Sequence, residues 1–193
     1  VKGFFIDSRE WAEGRFPALR GLLLAIFVYI IMRHLLNPSY TSIFKGLNLG
    51  VHELGHFVFM FFGHFLHMAG GTILQLAVPL GSVFMFLHQR DYFAIAICFG
   101  WLSTNLYDVA VYVADARALE LPLVSPFGGD AMHDWHYLLG ELNILHWDIA
   151  LGKLCRFMGL LSMLICLLYG GWLVYLMIRS FDLNKMGHLN TDE

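Results

Sequence analysis

The sequence predicts an all-α integral membrane protein with about five transmembrane helices in one membrane domain, and a short amphipathic helix between the fourth and the fifth. Three observations predict it. Charged residues make up 14% of the 193 residues and hydrophobic ones 58%, where a soluble domain carries about 25% charge. Apolar stretches near the length that crosses a bilayer, about 20 residues, recur along the chain. Turn residues, Asn37-Pro38 and Gly70-Gly71 among them, punctuate those stretches. The net charge of −3 offers no basic surface and so no nucleic acid partner, although a soluble partner can dock on the loops.

Taken in order, residues 1–18 read as an interfacial segment. Phe4, Phe5, Trp11 and Phe16 interleave there with Lys2, Arg9 and Arg15. Mixed charges and no long apolar run distinguish it from a signal peptide. The transmembrane domain is expected over 19–179, with spans at about 19–36, 49–69, 72–87, 92–114 and 157–178. Pro79 marks a kink in the third span. A hydrophilic connection, 117–152, separates the last two spans. Within it SPFGGD is turn chemistry, and MHDWHYLLGELNIL sets Trp135, Leu138, Leu139, Leu142 and Leu145 at helical spacing. Residues 180–193 form a polar C-terminal tail. Cys98, Cys155 and Cys166 form no CxxC and read as small buried hydrophobes. With five spans and the N-terminus inside, Lys2, Arg9, Arg15, Arg20, Arg117, Lys153 and Arg156 fall on the cytoplasmic side. Arg33, Lys45, Arg90, Arg179 and Lys185 fall on the other, a narrow margin for that orientation.

Glu53 is the only Asp, Glu, Lys or Arg between Lys45 and Arg90, and it lies in NLGVHELGHFVFMFFGHFLHM. A charge at mid-membrane costs about 2.5–3.5 kcal/mol on insertion scales, so such a residue marks function. The spacing HExxH supplies a reason. Histidines four apart stand one above the other on a helix, so His52 and His56 can bind one zinc, and Glu53 between them can act as general base toward water. On a helical wheel carried through the stretch, His52, Glu53, His56, His64 and His67 share a sector of about 120°.

Catalytic zinc takes three protein ligands and leaves one position open. For the third, Asp108 is the intramembrane carboxylate of the fourth span. Asn105, Asp108, Tyr112 and Asp115 follow 3, 4 and 3 spacing on one face, able to meet the histidine face with Asn105, Asp115, His64 and His67 as supporting polar groups. His133 or Asp134 in the 117–152 connection is the alternative. That connection is expected on the opposite side from the start of span two, with His56 roughly 12 Å along the span, so Asp108 ranks first.

These motifs resemble the site-2-protease family of intramembrane zinc metalloproteases, and more closely its small bacterial members. The resemblance rests on HELGH in the second span, the Gly70-Gly71-Thr72 turn and the Asn105/Asp108 pair, and covers spans two to four. YVADARALELPL and HDWHYLLGELNIL are similar to segments of a bacterial membrane-protein set with the same HExGH core. The resemblance implies Zn2+ on His52, His56 and an aspartate, Glu53 as general base, hydrolysis of peptide bonds in a transmembrane protein substrate, and a bacterial inner membrane with its lipids as surroundings. The chain departs from the family where Val109 follows Asp108: the proline and Asp-Gly of the family signature are missing. Two other readings stand beside it. One is a non-catalytic subunit of a larger membrane complex, suggested by the 16% aromatic content. The other is haem or chlorophyll-type pigment binding through the span histidines.

Overall fold

A computed structural model describes residues 2–122 and 132–189. The described residues are all-helical: α1 Lys2–Ala12, α2 Ala18–Leu36, α3 Lys45–Phe59, a 3-10 turn Met60–Phe62, α4 His64–Gln89, α5 Tyr92–Ala114, α6 Asp134–Glu141, a 3-10 turn Leu145–Trp147, and α7 Asp148–Leu189. Four segments are long and apolar enough to cross a membrane: Ala18–Leu36, His64–Gln89, Tyr92–Ala114 and Leu145–Phe181. SPFGGD lies outside the described residues, as do 190–193 of the expected tail, while 180–189 continue α7.

Helix α5 is the axle. It is buried on nearly every side, and α7 packs along its length. Small residues on α7 make that approach possible. A Cβ at Gly152 would meet Ala110 and Ala114, and one at Gly159 would meet Tyr107 and Leu106. Small faces of this kind bring helix backbones together where burial of apolar surface gives little drive. Hydroxyls then join the two helices: Ser103 Oγ donates to the Gly159 carbonyl and Ser162 Oγ to the Phe99 carbonyl, both at 2.7 Å. Phe27 of α2 fills the crevice beside Gly100 and Cys166.

The aromatic pairs set the directions. Phe4 of α1 meets Tyr92 and Tyr169, and Phe16 meets Phe181. The N-terminus, the start of α5 and the far part of α7 therefore share one end of the bundle. At the other end lie the C-terminus of α2, the start of α4, the end of α5 and α6.

The second expected span, 49–69, is the exception. The chain breaks at Gly63, not at Gly70-Gly71. Gly63 takes φ 88° and ψ 162°, a backbone state essentially confined to glycine. Helix α3 therefore has 15 residues, about 22 Å, against a hydrocarbon core of about 30 Å. Nor does it start at a bundle end. After α2 the chain doubles back beside that helix: Tyr40 sets its ring against His34 (4.9 Å) and Phe44 stacks on Phe27 (5.7 Å, 11° between planes). That return covers seven residues of α2, about 10 Å. Helix α3 then leaves the interior alongside α5 toward the end where α5 finishes. Asn48 fixes its start, accepting from Trp101 Nε1 (2.9 Å) and donating Nδ2–H to Asp108 (2.7 Å) and Thr104 (3.3 Å). Gly70 and Gly71 sit inside α4, where a Cβ on Gly55 of α3 would run into their backbone. The two helices touch there because none of the three has a side chain.

Candidate metal centre

Helix α3 places His52 and His56 one turn apart, and the close α3–α4 contact puts α4 behind both. Their Nε2 atoms lie 3.2 Å apart. Asp134, the first residue of α6, brings Oδ2 to 2.9 Å from His52 Nε2 and 3.1 Å from His56 Nε2. A tetrahedral ion with ligands at 2.0–2.1 Å has ligand–ligand edges of about 3.3 Å. The three donor atoms already stand at nearly that separation.

The other nitrogen of each ring is committed. His56 Nδ1 lies 2.8 Å from the His67 carbonyl, which can only accept, so Nδ1 carries the proton. His52 Nδ1 lies 3.0 Å from Gln75 Oε1, both side chains buried. With Nδ1 protonated in each ring, both Nε2 atoms present lone pairs, and they present them to each other and to a carboxylate. Three acceptors within 3.2 Å repel one another unless a cation sits among them, either a metal ion or an added proton. Acceptors on the distal nitrogens are the usual support of metal-binding histidines. Gly71 keeps the space open, since a Cβ there would fall against both Nε2 atoms.

Helix α6 is held in place around Asp134. His133 Nδ1 accepts the His136 N–H (3.2 Å) and caps the helix, Tyr112 Oη accepts the Asp134 N–H (3.1 Å), and His136 Nδ1–H donates to the Ala116 carbonyl (2.7 Å). Burial pushes the Asp134 carboxyl up, but a proton added to the His52–His56 pair would hydrogen-bond to it and attract it, outweighing burial and holding it below the usual carboxylate range. Burial lowers the His133 imidazole, with Asp115 pulling the other way, so the cap stays neutral.

The structure sorts the expected site residues. His52 and His56 converge as the spacing requires. Glu53 is half-buried next to them, its charge within reach of His56 and Tyr112. Asp108, ranked first as third ligand, is elsewhere: it accepts from Asn48, a turn before His52. Asp134 stands in its place because the chain doubles back over residues 37–44 before α3 begins, so HELGH and α6 lie at the same end of the bundle. His133 is the α6 cap, its Nε2 3.3 Å from Asp115 Oδ2 but outside hydrogen-bond geometry. Asp115 accepts the Glu120 and Leu121 N–H groups (3.0 and 3.2 Å) and so shapes the start of the connection. Asn105 donates to the Trp101 carbonyl within α5. The shared wheel sector ends at Gly63. Beyond it His67 returns a bond to α3, its Nδ1–H donating to the His56 carbonyl (2.9 Å), while exposed His64 meets the Tyr137 ring (4.5 Å).

Gln75 is the residue that sequence reading passed over. The signal was present: an amide in LQLAVPL, the middle of an apolar stretch, must find a partner for the reason Glu53 must. Comparison with protein-family models, curated proteins and solved structures returns no match for this chain.

Proposed function

We propose that the chain is a membrane-embedded zinc hydrolase of the site-2-protease type, cleaving peptide bonds in a membrane-anchored polypeptide. The observation that carries this reading is the convergence of His52 Nε2, His56 Nε2 and Asp134 Oδ2 with both Nδ1 atoms already committed. Zinc held there would supply Lewis acidity and would lower the pKa of a nearby water to about 7. The rest falls to the chain. His52, His56 and Asp134 would hold the ion, with Gln75 and the His67 carbonyl keeping each imidazole turned toward it. Glu53 takes the proton from the water and returns it to the leaving amine. Tyr112 fixes the backbone of Asp134.

A second reading draws on the same distances, since 2.9 and 3.1 Å are also hydrogen-bond lengths. An added proton would then occupy the cluster, Asp134 would tie α6 to α3 as an ion pair, and the chain would be a non-catalytic subunit of a larger membrane complex. Pigment binding fits less well, because nitrogens 3.2 Å apart leave no room for a macrocycle between them.

Metal analysis of the purified protein separates the readings. Zinc hydrolysis requires close to one zinc per chain in the wild type and in Glu53→Gln, and loss of metal in His56→Ala and Asp134→Ala. A metal-free wild type with all variants folded overturns it in favour of the ion pair.

A further inference from the structure

The centre lies near one end of the bundle. Tyr112, which receives the Asp134 N–H, is two residues from the end of α5, about 3 Å along the helix. His67, whose carbonyl holds His56, is in the first turn of α4, and Asp134 begins α6, outside the long helices. Helix α4 has 26 residues, about 39 Å, against about 30 Å of hydrocarbon. Centred in a bilayer, it leaves about its first three residues outside, which sets Gly71 about 6 Å below the boundary. The short helix α6, with Leu138 and Leu139 buried and His136, Gly140 and Glu141 exposed, suits that boundary. The last turn of α3 and the α3–α4 turn beside it expose Phe57, Phe61 and Phe62, as a segment facing lipid would. This end is the one opposite α1, which packs on Tyr92 and Tyr169.

We propose that the His52–His56–Asp134 centre works at the membrane–water boundary on the side opposite the N-terminus, and that its substrate is the extended juxtamembrane segment of a membrane-anchored polypeptide. The proposal rests on the metal-hydrolase reading above. Its physical ground is accessibility of the bond. A peptide bond deep within a transmembrane helix is closed by its own hydrogen bonds and must be unwound in lipid, whereas a chain leaving the bilayer becomes extended and hydrated within about 6 Å, roughly one helical turn, of this centre.

The test uses zinc-loaded protein in sealed liposomes, with the two orientations distinguished by protease access to an N-terminal tag. An impermeant chelator, EDTA, is added outside. The proposal requires that EDTA remove zinc from molecules whose N-terminus is enclosed and leave the others loaded until a permeant chelator is added. Removal that follows an exposed N-terminus, or that needs the permeant chelator in both populations, overturns it. Protein that holds no zinc before reconstitution overturns the metal reading and this one with it, a failure visible before any chelator is used. A ruler then reads the substrate. Single-span model peptides carry the same flexible segment at mid-span, at the boundary facing the tag, or at the boundary away from it. The expected result is cleavage at the boundary away from the tag, at least 100-fold lower in Glu53→Gln; Glu53-dependent cleavage greatest at mid-span overturns the assignment. Zinc removed as required with no peptide cut leaves the centre at the boundary and overturns the polypeptide substrate.

Discussion

A histidine that ligates a metal through one nitrogen is set by what it does with the other. His56 has a partner that mutation cannot remove, the His67 carbonyl, but His52 depends on Gln75. Replacing Gln75 by Leu should therefore weaken zinc binding by about 10- to 100-fold, the usual consequence of losing such a partner. Competition against a fluorescent chelator measures it, and unchanged affinity would show that Gln75 does not orient the ring. Gly71→Ala should weaken binding further, since its Cβ arrives where both Nε2 atoms stand. The sequence was legible here in inverse proportion to distance along the chain. His52 and His56 are four residues apart, and helix geometry alone brings them together. Asp134 lies in a separate element after α5, and nothing local distinguishes it from His133 beside it. Its arrival depends on which end of the bundle the connection occupies, a property of the whole topology.

Among the elements, α3 is the one whose nature spacing could not reveal. Its apolar run continues through Phe59, Phe61, Phe62 and Phe65 into α4, so hydropathy reads one long span across a turn. Only the positive φ at Gly63 separates the helices, and a lone glycine in an apolar stretch is weak evidence for a break. The clearer Gly70-Gly71 pair proves to be a packing surface. What holds α3 in place is Asn48, all of whose side-chain bonds go to α5. Asn48→Ala should leave Asp108 and Trp101 without partners and lower stability by about 1–3 kcal/mol, read as a lower unfolding temperature in detergent. A similar loss in Asp108→Ala with zinc stoichiometry near one would confirm that Asp108 anchors the helix and does not bind the ion.

For the molecule as a whole, the all-helical architecture and four helices long and apolar enough to cross a membrane were legible in composition and length. The short α3 was not, because a helix that begins inside the bundle is as apolar as a longer one. The centre joins α3 to α6 with α4 behind, so an ion bound there should stabilise the entire bundle. Free zinc at 100 times its dissociation constant should add about 2.7 kcal/mol, seen as a rise in unfolding temperature. Binding needs neutral imidazoles, so this gain is present near neutral pH and is lost on acidification, as protons compete with the ion for the ligand nitrogens. His52→Ala should show no gain at any pH.

The doubling-back of residues 37–44 also carries a consequence in time. A 15-residue helix that begins inside the bundle cannot be secured by lipid, and the partners of Asn48, the residues of α5, are made more than fifty positions later. While the chain is being synthesised, α2 can enter the membrane as soon as it emerges, but α3 has nowhere to settle until α5 is beside it, and Asp134 follows later still. The candidate metal centre thus assembles only after α5 and α6 are made, and a chain that stops short of them carries HELGH without Asp134.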